Sequence, residues 1–528
     1  ESAKPASGLG KLLRGLKLDG LDTGDVLLLL ILLFLFLEGD DMELVITLGL
    51  LLLLGLMAAW FGEKVAVLHS SLSDAERYDQ WKRVRQGAAG VVVGTRSAVF
   101  APCENLGLII LDEEQEHSYK SENSPRYAAR EVAMWRGYKE GALVLLGSAT
   151  PSVESMYHAK QGHYRLYRLQ NRYNGRALPE TQIVDMREEL KLGNDGTLSI
   201  PLRQAIHDTL AADKQAILLL NRRGNSRALV CVDCRKAPEC PRCSERLTYH
   251  SANNRLLCHY CGYSVPVPDR CPSCGGPLKT LGTGTQRVQQ ELSALFPDVE
   301  VARMDADTVS ASNPHEVILD RFRRGEQKIL LGTQMVAKGL DMPNVTLVGV
   351  LDADLSLFTG GFRAGETTFD MLTQVVGRAG RGSFAGRAIL QTMVPNHELI
   401  RLAAQQDYDR FYDLEIRLRQ VQHVPPFADQ VLIGFQGLQE PQVLMGAAKF
   451  RDSLLQLQRS GDFGPMELLG PAPSPVPKIN YQFRYRLTLR CRMEKNIRAA
   501  LRYLLCAFGK DSKMRGVSAF IDVNGFMD

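Results

Sequence analysis

The sequence predicts an α/β protein of two lobes, with a zinc-binding module inserted in the second and an α+β region at the end. Three observations carry this. Short apolar runs that end in small or polar residues recur in two series, the pattern of parallel strands with helices on both faces. Four C-x-x-C pairs crowd between Cys231 and Cys274. Past Pro425-Pro426 the rhythm changes, and a Pro-rich stretch, GPAPSPVP (470–477), interrupts it. At 528 residues the chain holds several domains, on a prior of about 150 residues each. The expected spans are 1–170 for the first lobe, 195–230 with 277–400 for the second, 231–276 for the insertion and 420–528 for the last region.

The net charge of +4 gives no global field for polyanions, so nucleic-acid binding must come from local patches. Residues 1–25 show no clear periodicity. Two apolar runs follow. Val26–Leu37 has 12 residues, too short to span a bilayer, and Leu44–Phe61 has 18, at the threshold. The aspartates between upstream lysines and the first run speak against a signal peptide. Both runs read as core of the first lobe rather than membrane spans. From Val65 the strands are clear: VAVLHS (65–70), GVVVGTRS (90–97), LGLIILDEE (106–114) and ALVLLGSAT (142–150). The second series is AILLLNRRG (216–224), VEVARMD (299–305), KILLGTQ (328–334), VTLVGVLDAD (345–354) and RAILQT (387–392). The cysteine module thus interrupts the second lobe just after its first strand.

Two residues between cysteines let both sulfurs face one point, so each pair is half of a tetrahedral zinc site. Cys243 and Cys258 flank a 14-residue spacer that suits a short hairpin. Cys240, Cys243, Cys258 and Cys261 are therefore expected to share one ion. Cys231, Cys234, Cys271 and Cys274 then hold a second, nested outside the first. Four-thiolate sites leave no open position for a substrate, so both zinc ions are structural. Disulfides are disfavoured in a large chain without other secretory signs. Three further cysteines, Cys103, Cys491 and Cys506, read as reduced, buried thiols of a cytosolic protein.

The strand ends carry the chemistry. Asp112 and Glu113 follow GLIIL, placed for nucleotide hydrolysis: Asp112 for the water shell of magnesium, Glu113 to orient the attacking water. A solvent-facing turn would look the same. Gly147-Ser148-Ala149-Thr150 follow ALVLL and suit a relay or a simple turn. In QVVGRAGR (374–381), Arg378 and Arg381 stand three apart, on one face of a helix. Two such guanidiniums suit the clamping of a γ-phosphate as arginine fingers.

The order of these motifs, GTRS, DEEQ, GSAT, GTQMVAKG (332–339) and QVVGRAGR, resembles that of superfamily 2 helicases. With the eight-cysteine insert, NRRG (221–224), GTGT (282–285), KINYQFRYRLTLRC (478–491) and IDVN (521–524), the chain from Val65 onward closely resembles the bacterial primosomal replication-restart DNA helicases, the PriA family. The resemblance implies two RecA-like helicase lobes and a C-terminal DNA-binding domain. It implies an ATP-dependent 3′-to-5′ helicase, with Mg2+, that binds stalled forks and helps reload the replicative helicase. Its partners would be forked and single-stranded DNA, other primosome proteins, single-stranded DNA-binding protein and the replicative helicase loader, in the bacterial cytoplasm and away from membranes.

The same resemblance assigns residues. The segment 117–130 matches an aromatic-rich loop that senses single-stranded DNA, with Tyr119 and Tyr127 on bases and Lys120, Arg126 and Arg130 on phosphates. Lys478, Tyr481, Arg484 and Arg486 form a basic and aromatic mix suited to DNA. Gly339 belongs to a nucleotide-contacting motif. GLGK (8–11) stands where the family has its phosphate loop, so Gly8, Gly10 and Lys11 are expected to cradle ATP. There are departures. Gln115 replaces the histidine of the family's DEEH. Leu12 stands where a hydroxyl should meet magnesium, and Pro5 where the first glycine belongs. The leucine-rich 43–62 replaces a polar motif. These changes imply weak or absent ATP turnover, the alternative being a zinc-bearing fork-DNA scaffold without ATPase. Family members begin with a 3′-end-binding domain and a winged helix, so the chain is expected to be truncated at its start.

Overall fold

A computed structural model of the chain describes residues 61–69, 72–169, 178–220, 228–231, 233–234, 238–243, 247–250, 255–258, 261–281, 285–304, 315–333, 342–358, 361–380, 384–461 and 464–525. Gly8, Gly10, Lys11, the apolar runs up to Trp60, Gly339 and Arg381 lie outside the described residues. The chain forms two compact units, and the first holds the described residues up to Ala149.

In the first unit, β1 (Val65–Leu68) pairs parallel with β2 (Val91–Gly94), and β3 (Leu108–Leu111) pairs parallel with β4 (Leu143–Leu146). The helix Asp74–Arg85 connects β1 to β2. It starts on a capping box, in which Ser73 Oγ accepts from the Glu76 N–H and Glu76 Oε2 accepts from the Ser73 N–H. Two otherwise unpaired amides are satisfied there. The helix Ala129–Glu140 connects β3 to β4 and stops at Gly141, which takes φ +70°. Left-handed backbone of that kind costs glycine nothing. Ala129 and Ala133 of this helix bury against Leu111. Their small side chains bring the helix close to the strand that delivers Asp112.

The second unit opens its sheet with β5 (Glu180–Asp185) and β6 (Gln215–Leu219). The chain then leaves through β7 (Ala228–Cys231), β8 (Thr248–His250), β9 (Arg255–Leu257) and β10 (Ser264–Pro266), and returns on β11 (Leu278–Leu281). It resumes with β12 (Val301–Met304), β13 (Ile329–Gly332), β14 (Val345–Val350) and β15 (Arg387–Thr392). The main sheet runs β12-β13-β6-β14-β15-β5, and the insertion has its own sheet, β10-β9-β8-β7-β11. Pairs β12–β13, β13–β6, β14–β15 and β15–β5 are parallel. Leu202 and Ile206 of the helix Ile200–Ala211 pack with Leu218, Leu331, Leu347 and Ile389 in one buried cluster.

β5 corrects the expected order. It precedes β6 in the same sheet, so the insertion follows the second strand in the chain, not the first. ETQIVD sits at the sheet edge, mostly half-buried. Its mixed polarity lacks the apolar continuity by which the interior strands are recognised.

The C-terminal region forms the antiparallel sheet β17-β18-β16-β19, from β16 (Asp429–Gly437), β17 (Met466–Ile479), β18 (Gln482–Cys491) and β19 (Val517–Val523). Helices Glu440–Ser460 and Lys495–Lys510 bring Phe450, Leu454, Leu501 and Phe508 onto Phe435 and Leu487. GPAPSPVP does not break the structure as expected. It lies within β17, an edge strand, where two register shifts fall between Leu469 and Ala472 and between Pro473 and Lys478. An edge position and irregular pairing are what proline in a sheet requires.

Candidate functional site

The eight cysteines gather as two groups of four. Cys231, Cys234, Cys271 and Cys274 form one, and Cys240, Cys243, Cys258 and Cys261 the other, with each group's sulfurs within 4.8 Å of one another. Observed separations are 3.4 Å for Cys231 and Cys274, 3.7 Å for Cys234 and Cys271, and 3.6 Å for Cys240 and Cys261. Tetrahedral zinc with Zn–S of about 2.3 Å places its sulfurs roughly 3.8 Å apart, so both groups fit the ion. These are two zinc-binding sites, paired as the spacing predicts. The spacer forms the β8–β9 hairpin, Thr248 opposite Leu257. Gly262 and Gly275 follow the second cysteine of their knuckles at φ +69° and +74°, and let the chain turn away behind the sulfur. Burial pushes the Cys243 thiol up to about 12, opposed by a hydrogen bond from the Asn480 N–H. Hydrogen bonding from the Ser273 N–H holds Cys271 down, to about 7.

At the end of β3 the turn Asp112–Gln115 is tightly held. Glu113 takes φ +47°, unusual for a residue with a side chain. Its N–H donates to Asp112 Oδ1 at 3.0 Å. Gln115 ties this turn to the next motif: Nε2 donates to Glu113 Oε2 at 2.7 Å, and Oε1 accepts from Ser148 Oγ at 2.5 Å. Gln115 is thus the bridge between Glu113 and Ser148. Gly147 is confined by the same turn, since a Cβ there would lie 3.3 Å from Asp112 Oδ1. Glu114 is buried and accepts from Arg130 Nη1 at 2.9 Å.

The segment 117–130 is folded onto this turn. Tyr119 Oη donates to the Asp112 carbonyl at 2.8 Å. Burial, then the Asp112 charge, pushes its phenol far above the ordinary range. The ring of Tyr127 meets Phe100 edge-on at 4.7 Å, with the Arg96 guanidinium 5.8 Å from its centre. Arg96 also donates to the carbonyls of Ser118 and Lys120. Lys120 Nζ donates to the Arg126 carbonyl. Both tyrosines are half-buried and pack on the Leu111 cluster.

The second unit carries Arg378. The helix Ala364–Val376 ends before it, and Gly377–Gly380 make a turn. Gly380 takes φ +71°, which ends helical geometry, so Arg378 is buried in a turn rather than set on the expected helical face; Arg381 lies outside the described residues. Sequence reasoning missed a buried ionic cluster beside this helix. Arg419 donates from Nε to Glu415 at 2.9 Å and stands 3.3 Å from Glu154, and Arg363 stands 2.7 Å from Glu154. Glu366 Oε1 in turn accepts the Val153 N–H at 2.8 Å, at the start of the helix Val153–Lys160.

In the C-terminal region, β17 and β18 turn over two residues. Asn480 and Tyr481 take φ +47° and +65°, the left-handed pair of a type I′ hairpin. The Asn480 N–H donates to Cys243 Sγ at 3.2 Å, and the Tyr481 N–H to the Arg242 carbonyl at 2.7 Å. Lys478 lies over the rings of Tyr481 and Phe483. Arg484 donates to the Val476 carbonyl.

Three family models match the chain: the helicase conserved C-terminal domain over 282–383, the PriA DNA helicase Cys-rich region over 240–266, and the primosomal protein N C-terminal domain over 420–525. The replication restart protein PriA of Rickettsia felis is 36% identical over 449 residues, covering 84% of this chain and 68% of that protein. The chain belongs to the PriA family. PriA of Bacillus subtilis is 44% identical over 468 residues, 88% of this chain and 58% of its own. PriA of Synechocystis is 41% identical, over 82% of this chain and 53% of its own. The chain thus spans little more than half the length of these two PriA relatives. Its fold is that of a helicase family, with two zinc-binding clusters in the second unit. No helix among the described residues is long and apolar enough to cross a membrane.

Proposed function

We propose that the chain works as an ATP-dependent 3′-to-5′ DNA helicase of replication restart. It would bind stalled or abandoned forks and help reload the replicative helicase, in the bacterial cytoplasm. The observation that carries this is the PriA-specific Cys-rich and C-terminal domains on one chain with a helicase domain.

The roles follow from chemistry. Asp112 sits at a strand end, suited to magnesium's water shell, and Glu113 is held beside it to orient water. Arg378, with Arg381, is assigned to the γ-phosphate. Gly8, Gly10, Lys11 and Gly339 are assigned to the nucleotide. The DNA contacts are assigned to Tyr119, Lys120, Arg126, Tyr127, Lys478 and Arg484. Primosome proteins, single-stranded DNA-binding protein and the helicase loader are the proposed partners. The two zinc ions hold the insertion folded, because zinc-binding energy is folding energy in such modules.

The test is strand separation of a forked duplex with ATP, together with DNA-stimulated turnover. ATP-dependent separation supports the reading. Fork binding with no turnover, unrelieved by Leu12→Thr, would overturn it in favour of the scaffold alternative. The intact Asp112–Glu113 turn and the family membership weigh against that alternative.

A further inference from the structure

Among the described residues, the insertion and the C-terminal region meet where a hairpin turn touches a zinc knuckle. The turn of the β17–β18 hairpin reaches the Cys240–Cys243 knuckle, where two backbone amides find acceptors: Cys243 Sγ for Asn480 and the Arg242 carbonyl for Tyr481. Ile479, the last residue of β17, packs on the ribbon core with Leu247 and Leu256. The sulfur is a zinc-ligand position. We infer that the hairpin turn is an outer part of the Cys240–Cys261 zinc site, so that zinc loading there and docking of the hairpin tip stabilise each other.

The physical reason is the charge on the sulfur. A thiolate on zinc keeps negative charge, and a buried anionic sulfur needs a donor. Cys243 is buried, so water is a poor substitute for the Asn480 N–H. The type I′ geometry presents the two amides together, at the cost of two left-handed residues. Asparagine tolerates that conformation well and tyrosine poorly, so a turn built this way keeps its shape best when both amides are bonded. Metal that organises the knuckle fixes their acceptors. Docking that supplies the donors stabilises the ligand set. Linkage makes the two effects equal in size. The outer site, Cys231–Cys274, shares none of these contacts among the described residues. The coupling is therefore specific to one of the two zinc ions.

Two measurements on the zinc-loaded full chain test it, and neither depends on helicase activity. The first is zinc release to a colorimetric chelator. Ile479→Asp, which removes the apolar anchor of the tip, is expected to speed release of one zinc per chain by about 10- to 100-fold, the usual weight of partners to metal ligands. The second zinc should leave at the parental rate. Asn480→Gly keeps both the left-handed turn and the N–H, and should change neither. The second measurement is hydrogen exchange in the 478–483 segment. Cys261→Ser, which opens the inner site, is expected to speed exchange of the Asn480 and Tyr481 amides at least tenfold, while Cys274→Ser leaves them protected. Parental zinc release from Ile479→Asp, or protection unchanged in Cys261→Ser, would overturn the inference. Equal effects of Cys274→Ser and Cys261→Ser would overturn its assignment to the inner site.

Discussion

Arg419 Nη2 donates to Glu366 Oε2 at 2.8 Å, and both side chains are buried. The pair links the helix Tyr408–Gln422 to the helix Ala364–Val376, which leads into the Arg378 turn. A buried arginine with three carboxylates around it is costly to break, because the partners stay behind unneutralised. Arg419→Ala is expected to lower unfolding free energy by about 3–5 kcal/mol, read by urea denaturation of the second unit's transition. A loss below about 1 kcal/mol, the scale of exposed pairs, would show that the cluster gives no net support.

The cluster also sets a pH dependence. Burial raises Glu415 above 4.5, with Arg419 opposing. The folded chain therefore holds this proton more readily than the unfolded chain. That contribution is full below pH 4.5 and is lost as pH rises through the raised value. Glu415→Gln carries no such proton. Its melting temperature relative to the parent is expected to climb as pH rises, over a window that begins just above pH 4.5. A difference that is flat or falls over that window would contradict the assigned direction.

Metal content gives a separate check. The purified chain should carry two zinc ions. Cys274→Ser and Cys240→Ser should each retain one, by native mass spectrometry. Cys240→Ser should also expose the ribbon to protease, since its core packs on the inner cysteines and zinc binding is coupled to folding. A single ion in the parent would rule out the paired arrangement.

The loop 117–130 is tied to the Asp112 turn through Tyr119, and Arg96 holds the carbonyls of Ser118 and Lys120; on the proposed function this would couple DNA sensing to that turn. Tyr127→Ala removes the ring between Phe100 and Arg96. DNA stimulation of ATP turnover is expected to fall on the order of tenfold, within the range for losing one aromatic contact to a base, while duplex affinity at low salt changes little. Undiminished stimulation would take the sensing role away from this loop.

What the sequence made legible follows a physical rule. The strands with continuous apolar runs, such as RAILQT, are found where expected, because a doubly covered strand has no polar face to confuse it. The cysteine groups were legible because spacing alone constrains sulfur geometry. Arg419 was not. In DRFYDLEIRLRQ it looks like any charge on a solvated helix, yet it is fully buried. Its partners Glu154 and Glu366 are far away in sequence, and only the fold brings them together. The hairpin turn was hidden likewise: Asn480-Tyr481 is a weak turn signal beside Asn-Gly, and its reason for being there is Cys243. The partners of Tyr127 were hidden too: Phe100 and Arg96 lie far from it in sequence, and only the fold sets the ring between them.

β7 and β11 are antiparallel neighbours, with Ala228 opposite Leu281 and Cys231 opposite Leu278. The excursion between them departs and returns at a single doorway. Closing a chain across such a gap depends only weakly on how long the excursion is, so the surrounding lobe is nearly blind to its length. Such a module is portable: it can be shortened to a plain turn, or exchanged for a ribbon of another size, without re-registering the main sheet. What an exchange would forfeit is the seat on which the Asn480–Tyr481 turn rests, the Arg242 carbonyl and the Cys243 sulfur.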